Sequence, residues 1–181
     1  ITVQSPLRLK KLAEDVGYEE YSCNGTPVDC VKLGEQVVLK GVPDLLVSGV
    51  NHGSNAAINV VYSGTMAAVI EGCIDGIPSV GFSMNDFSHH LNFEPARAII
   101  KHIASQILKN GLEKGVCLNV NFESSEIVCP VNIDNICVDA ALASSSWIVF
   151  WSMFNSSAFI TSAADFSITP FLMPDSTFFN C

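Results

Sequence analysis

The pattern of apolar and polar positions in the middle of the chain changes repeatedly between strand and helix spacing. A nearly continuous apolar run at 44–50 is typical of a strand buried on both faces of a parallel sheet, and 78–83 predicts a second strand. Val116–Phe122 alternates residue by residue, which favours a third strand. Apolar positions between these strands predict helices at 66–74 and 92–110. Because strands and helices alternate, the pattern favours an α/β fold with a layered, mainly parallel sheet.

The N-terminal part of the chain carries shorter patterns. Residues 1–3 are rich in β-forming residues, and 19–23 predicts a short strand. A helix is predicted at 26–39, because Thr26 is a favoured N-cap residue and is followed by proline at the first helical position. Asp29 lies in the first turn, where a negative charge interacts favourably with the helix dipole.

Composition narrows the classes of function. The chain has 181 residues, enough for one ordinary domain with a core, and 49% are hydrophobic, which excludes a disordered acidic tail. Lys and Arg total 9 against 18 Asp and Glu, a formal charge of −9, and we therefore expect no nucleic-acid polymer as a partner. No apolar run reaches the roughly 20 residues of a membrane span, and we expect no membrane partner. Seven cysteines without CxxC spacing argue against structural zinc and, as unpaired thiols, favour a reducing cytoplasm.

Both ends of the chain differ from an ordinary domain. The sequence starts without Met and has no signal-peptide pattern, and we expect it to begin inside a longer protein. Residues 116–181 contain no Gly, Lys, Arg or His, and they hold eight of the eleven Phe. This composition is typical either of an oligomer-forming extension or of a shifted reading frame. We therefore predict a core at 1–123 and a divergent segment at 124–181 to which no chemistry is assigned.

A polar loop after the first buried strand contains the first candidates for chemistry. Asn51 follows the 44–50 strand directly, and ligands of open α/β sheets bind outside the carboxyl ends of strands. Its amide oxygen suits a hard cation or an ordered water. Capping of a turn by Asn51 is the alternative interpretation. His52 in the same loop is a candidate general acid or phosphate contact, and a solvated loop histidine is the alternative.

A second candidate is Ser63-Gly64-Thr65 at the start of the predicted 66–74 helix. Backbone amides and two hydroxyls at a helix N-terminus form a cradle for an anion, and the helix dipole favours the negative charge. An ordinary N-cap by Ser63 is the alternative. The nucleophile motif GxSxG, the metal motif HExxH and the phosphate loop GxxxxGK[ST] are absent from the sequence. A dinucleotide-binding role is disfavoured, because no GxGxxG follows a strand.

Several separated blocks of the sequence resemble the SurE family and occur in the order of that family. They are GTPVDCV at 25–31, SGVNHGSN at 48–55, YSGT at 62–65 and LNVN at 118–121. The resemblance covers residues 1–123. It implies a Rossmann-like α/β core, a metal-dependent hydrolase of nucleoside 5′- and 3′-monophosphates that uses Mg²⁺ or Mn²⁺, and assembly into a homodimer or homotetramer.

The resemblance also assigns roles to residues. Asn51 matches a metal ligand of the family, and Asn55, Ser63, Gly64 and Thr65 match positions that face the phosphate. The other metal ligands of the family, an Asp pair and a Ser, and its first strand would lie upstream of this chain. The reacting group would be a metal-activated water, and we expect this chain to be a fragment with impaired activity. The alternative is a non-catalytic oligomerisation or interaction module that has lost its metal site.

Overall fold

The structure is a computed structural model that divides into two compact units, Ile1–Pro43 with Ala164–Cys181, and Asp44–Ala163. It describes residues 1–39, 41–85, 87 and 93–122, and the backbone of four later strands. The elements are, in chain order, β1 Leu9–Asp15, β2 Tyr18–Cys23, α1 Pro27–Leu33, β3 Leu46–His52, α2 Asn59–Tyr62, α3 Gly64–Ile74, β4 Ser79–Met84, α4 Glu94–Asn110, β5 Val116–Phe122, β6 Cys137–Ser144, β7 Trp147–Trp151, β8 Ala158–Phe159 and β9 Ser176–Asn180.

The first unit contains a three-stranded sheet in the order β1-β2-β9. β1 is antiparallel to β2, whereas β9 is parallel to it. The strand predicted at 19–23 is confirmed as β2, but β1 was not predicted, because its residues are mostly exposed and show no apolar face. The expectation of β structure at residues 1–3 is wrong. Thr2 instead donates hydrogen bonds to the Asp29 side chain of α1.

The start of α1 is held by a capping box. The Thr26 hydroxyl accepts a hydrogen bond from the Asp29 backbone, and the Asp29 carboxylate accepts one from the Thr26 backbone. The same buried carboxylate accepts hydrogen bonds from the Thr2 backbone N–H at 3.0 Å and from the Thr2 hydroxyl at 2.7 Å. Burial alone would raise the pKa of Asp29, but the hydrogen bonds from Thr2 and Thr26 outweigh it and hold the pKa well below its ordinary value. The predicted helix at 26–39 is confirmed in its start, and beyond Leu33 it continues as a π-helical turn at Gly34–Val38.

The second unit contains the predicted parallel sheet. β3, β4 and β5 are neighbours and run parallel, and the α/β class is confirmed. The predicted strand at Val116–Phe122 has the same bounds in the structure. β6 and β7 extend the sheet in antiparallel orientation beyond β5, and β8 also pairs with β5.

The two faces of the parallel strands differ in chemistry. One face is apolar and packs against α4, through residues that include Phe82, Val120 and Phe122. The opposite face carries the alternate residues of β4 and β5, namely Ser79, Gly81, Ser83, Cys117, Asn119 and Asn121. Cys117 on this second face packs against Met66 and Val69 of α3. The sheet therefore presents small and polar side chains to α3.

The helices of this unit agree with the sequence pattern. α3 and α4 confirm the helices predicted at 66–74 and 92–110, although Asn92 lies outside the described residues. α2 was not predicted, because its four residues are too few to show a helical period. None of the helices that the structure describes is long and apolar enough to cross a membrane.

The cysteines differ from expectation at one position. Cys30 is disulfide-bonded, so the interpretation of all seven cysteines as unpaired thiols is wrong. Cys23, Cys73 and Cys117 are free and buried. Spacing along the chain could not predict the bond, because disulfide pairing depends on proximity in the folded state.

Candidate functional site

The carboxyl ends of the three parallel strands lie next to one another. Asn51 at the end of β3 is the Cα partner of Ser83 near the end of β4. The Gly53 N–H donates to the Met84 carbonyl at 2.8 Å, and the Asn85 N–H donates to the Phe122 carbonyl at 2.8 Å. These hydrogen bonds continue the pairing of the strands beyond their ends. The polar loop after β3 therefore lies next to the end of β4, and the residue after β4 lies next to the end of β5. This edge is where open α/β sheets bind ligands.

A bulge in β3 decides which side chain faces α3. Ser48 pairs with Gly81 and Asn51 pairs with Ser83, so three residues of β3 oppose two of β4. Without the extra residue, Val50 would occupy the position of Asn51, because strand side chains alternate between the two faces. Val50 instead packs with the apolar α4 face, and Asn51 stands beside Ser83 on the polar face.

The hydrogen bonds of the Asn51 side chain decide which of its atoms is suited to a cation. Its amide nitrogen donates to the His52 carbonyl at 2.7 Å and to the Gly53 carbonyl at 3.4 Å. The backbone of the loop thus accepts hydrogen bonds from the amide nitrogen, and the amide oxygen is the atom suited to a cation. A neutral amide oxygen is a usual ligand of Mg²⁺ or Mn²⁺, but such ions also need carboxylates or waters. Within the described part of the chain, no group of three or more His, Cys, Asp or Glu is arranged to hold a metal.

α3 starts with the predicted Ser63-Gly64-Thr65 segment. The Ser63 hydroxyl accepts a hydrogen bond from the Met66 backbone N–H at 3.2 Å, and the N-cap interpretation of Ser63 is confirmed. An N-cap hydroxyl keeps its own proton, so Ser63 can still donate a hydrogen bond to an anion. Gly64 is exposed, whereas Thr65 is buried.

Glycines on both sides of the contact set the close packing of α3 on the sheet. A Cβ added to Gly72 would lie 2.7 Å from the side chains of Leu46 and Ser79, at the starts of β3 and β4. A Cβ added to Gly81 would lie 2.7 Å from the Met66 sulfur and 3.6 Å from a Thr65 methyl carbon. The C-terminal part of α3 therefore lies over the strand starts. Its positive N-terminal end is directed toward the carboxyl ends of the strands.

Asn55 is linked to the same region through β5. The Asn119 amide nitrogen donates to the Asn55 carbonyl at 3.2 Å, and both residues are buried. Asn119 is the Cα partner of Gly81, and a Cβ added to Gly81 would lie 3.6 Å from a Thr65 methyl carbon. A continuous set of neighbours thus connects Asn55 with the start of α3. The Asn55 amide nitrogen is itself buried and has no hydrogen-bond partner among the described residues.

Histidine and cysteine side chains contribute less to this region. The His52 ring packs against Phe93 with centroids 5.5 Å apart, and it is partly buried rather than fully solvated. His89 and His90, which have no partner at metal-ligand spacing in the sequence and were expected at the surface, lie outside the described residues. Burial raises the pKa of the Cys117 thiol to about 12, and the adjacent Cys73 thiol adds to the shift. A thiol with so high a pKa is a poor nucleophile at neutral pH.

The sequence patterns did not identify Ser83, Asn119 and Asn121 as members of the polar region. The alternation in Val116–Phe122 is compatible with a strand that has one solvated face. Asn119 and Asn121 are in fact buried, because α3 covers the face that they occupy. Two asparagines at alternate positions of an otherwise apolar strand were the available indication of this buried polar face.

The chain is similar in sequence to proteins named SurE. A family model described as survival protein SurE matches residues 1–138. A 5′-nucleotidase SurE of Flavobacterium psychrophilum is 55% identical over 123 residues, which are 67% of this chain and 48% of that protein. A 5′-nucleotidase SurE of Phocaeicola vulgatus is 40% identical over 151 residues, which are 83% of this chain and 56% of that protein. The chain spans about half the length of the curated relatives that it matches.

A solved structure has the same fold over the matching part. The crystal structure of SurE protein from Aquifex aeolicus superimposes with a TM-score of 0.62 at 36% sequence identity. The match covers 68% of this chain and 49% of the Aquifex chain.

Proposed function

The chain belongs to the SurE family, and from that premise we propose that it is part of a metal-dependent phosphomonoester hydrolase for nucleoside 5′- and 3′-monophosphates. The main support is the position of the α3 N-terminus, which is directed toward the carboxyl ends of the three parallel strands. Two relatives with this sequence pattern are named 5′-nucleotidases. The nucleoside monophosphate would bind with its phosphate at this strand edge.

We assign the phosphate contacts to Asn55, Ser63, Gly64 and Thr65. The dipole of an 11-residue helix favours a dianion at its N-terminus, and the exposed Gly64 lets the phosphate approach the backbone closely. The Asn55 amide and the Ser63 hydroxyl would donate hydrogen bonds to the phosphoryl oxygens. Donors fixed before the reaction stabilise charge that develops on those oxygens in the transition state.

The metal dependence is supported by the orientation of Asn51. Its amide oxygen is available for one coordination position, as its nitrogen is bound to the loop backbone. A divalent cation bound there would supply positive charge beside the phosphate and acidify a coordinated water. Because the described residues add no cluster of carboxylates, we propose that this chain alone has impaired turnover.

Phosphate release and nucleotide binding test the proposal separately. We expect saturable binding of adenosine 5′-monophosphate by the 181-residue chain in the presence of Mn²⁺, measured by calorimetry. Phosphate release should be far slower than that of the Flavobacterium psychrophilum protein assayed in parallel. Asn51→Leu should remove the dependence of binding on Mn²⁺. The matched control Asn110→Leu, on an exposed residue of α4, should not alter it.

Two results would contradict the proposal. Absence of nucleotide binding, with or without Mn²⁺, would favour the alternative of a non-catalytic interaction module. That alternative is supported by the absence of a metal-binding cluster from the described residues. Turnover equal to that of the longer relative would contradict the impaired activity. Light scattering would measure the molar mass in solution and so test the homodimer or homotetramer that family membership suggests.

Substitutions at Ser63 separate its two roles. Ser63→Ala should lower the free energy of unfolding by about 1 kcal/mol, because the Met66 amide loses its cap, and should also weaken nucleotide binding. Ser63→Asp should keep the cap but place a negative charge beside the phosphate, so that binding falls while stability is retained. Urea denaturation and calorimetry measure the two effects. Tight nucleotide binding by the Asp variant would exclude Ser63 from the phosphate site.

A further inference from the structure

The sheet face beneath α3 contains buried polar atoms that make no hydrogen bond within the described residues. The Ser83 hydroxyl, the Asn119 amide oxygen and both amide atoms of Asn121 are buried without a hydrogen-bond partner in the described ranges. Apolar side chains would fill the same strand positions at a lower free energy, because burial of an unpaired polar atom is unfavourable. A polar face at the carboxyl edge of a parallel sheet therefore requires a reason other than stability.

Asn119 makes the most informative contact on this face. Its amide nitrogen donates to the Asn55 carbonyl at 3.2 Å, across a sequence separation of 64 residues. Asn119 lies in the middle of β5, so its backbone is held by the ladders to β4 and β6. Asn55 lies in an irregular loop after β3, and Ala57 in that loop has a positive φ of 51°. The hydrogen bond thus joins a rigid strand to an irregular loop.

The side-chain amide of Asn55 shows why this hydrogen bond to the Asn55 carbonyl matters. Asn55 is 4% exposed, and its amide nitrogen lacks a partner among the described residues. Close packing restricts the rotamer of a buried side chain, so a fixed backbone then also fixes the direction of its donor. Since Asn119 binds the backbone carbonyl of Asn55, it fixes the residue without occupying the amide that would bind an anion.

We propose that Asn119 is a positioning residue, which holds the Asn55 loop by hydrogen bonding to its carbonyl and so orients the Asn55 amide as a donor to the substrate phosphate. This inference rests on the proposed function, because the phosphate site is assigned there. Asn119 does not touch the phosphate. Its removal should therefore affect loop order and nucleotide affinity together.

Hydrogen exchange and nucleotide binding of matched variants test the inference. Asn119→Leu has a similar volume and cannot donate, whereas Asn119→Ser is smaller, remains polar and cannot reach Asn55. Val120→Ala is the control, because Val120 is buried on the same strand but packs on the opposite, apolar face. We expect both Asn119 variants to exchange the amides of 53–57 about three- to tenfold faster and to bind adenosine 5′-monophosphate with Mn²⁺ about three- to tenfold more weakly. Val120→Ala should lower the stability of the sheet without this combined change.

The outcomes separate this inference from the proposed function. If the wild-type chain binds the nucleotide and both Asn119 variants bind it equally well, the positioning role is wrong and the proposed function stands, whether or not loop exchange changes. If the wild-type chain does not bind the nucleotide, the proposed function fails. In that case the role of Asn119 in orienting a phosphate donor fails with it, and loop exchange in the Asn119 variants shows only whether Asn119 holds the Asn55 loop.

Discussion

Asparagine occurs at several positions around the strand ends, and the neighbours of each one decide what it can do. Asn51 binds the loop backbone through its amide nitrogen, Asn119 binds the Asn55 carbonyl, and Asn121 has both amide atoms unpartnered in the described part of the chain. Their chemical group is identical. Burial and local hydrogen bonds alone separate a candidate metal ligand from a positioning residue.

Replacement of Asn121 by leucine should stabilise the protein. The volumes of the two side chains are similar, and the substitution removes a buried amide that has no partner among the described residues. We expect the free energy of unfolding to rise by about 1–3 kcal/mol in urea denaturation. Asn110→Leu is the exposed control and should change it by less than about 0.5 kcal/mol. A loss of stability in Asn121→Leu would show that this amide is satisfied by a group such as a buried water.

Asp29 should make stability depend on pH in the acid range. Hydrogen bonds from Thr2 and Thr26 lower its pKa in the folded state, so the folded protein favours the ionised carboxylate. This contribution is present above the unfolded pKa of about 3.9 and is lost as the pH falls through the lower, folded pKa. Asp29→Asn should therefore cost about 1.5–3 kcal/mol at pH 7, with a difference from wild type that shrinks below about pH 4.

Urea denaturation at several pH values measures the Asp29 effect. Asp44→Asn, at an exposed residue, is the control and should leave the acid dependence of wild type in place. A constant difference between Asp29→Asn and wild type from pH 7 to about pH 2 would contradict the role of the carboxylate charge.

Among the elements, the strands and helices of the second unit were largely predictable, because each has a clear apolar period. β5 has the predicted bounds, and α3 begins within two residues of the predicted start. The bulge in β3 was not predicted, because periodicity describes a strand without revealing its register against a neighbour. The glycine inside 44–50 was the one local indication, since glycine in a strand is often found at a bulge.

Gly49 should be essential to this bulge. Its φ of 122° lies in a region that residues with a side chain adopt only with strain. Gly49→Ala should lower the free energy of unfolding by about 1–3 kcal/mol and weaken Mn²⁺-dependent nucleotide binding, because Asn51 would no longer be held beside Ser83. Gly41→Ala is the control, because an added Cβ there meets no atom within 4 Å. Unchanged nucleotide binding in Gly49→Ala would show that Asn51 does not depend on the bulge.

At the scale of the whole molecule, the sequence predicted the parallel strands β3, β4 and β5 but not the later strands. β6, β7, β8 and β9 lie in a segment without glycine or basic residues, where the usual indications of turns are missing. The division at 1–123 and 124–181 stays a prediction.

The candidate site was predicted in part. Family motifs supplied Asn51, Asn55 and Ser63-Gly64-Thr65, whereas Ser83 and the two asparagines of β5 required knowledge of which face α3 covers.

The disulfide at Cys30 should stabilise the folded chain at α1. Cys30→Ser should lower the free energy of unfolding by about 2–4 kcal/mol and speed hydrogen exchange in α1, while α4 serves as the internal reference. Reduction of the wild-type chain with dithiothreitol should give the same change, and it should have no further effect on the variant. Cys73→Ser, at a free cysteine, is the control and should keep the response to the reductant. Equal exchange in oxidised and reduced wild type would contradict a stabilising bond.

The absence of a Cβ at Gly72 and Gly81 has a consequence for how the proposed phosphate site can evolve. Both glycines let α3 approach the strands closely, so the distance between the helix N-terminus and the strand ends depends on residues that lie beneath the helix. A methyl group at either position would push α3 away from the sheet and would move the proposed anion-binding amides with it. The geometry of the proposed phosphate site can thus be changed by substitutions at residues that would not touch the phosphate.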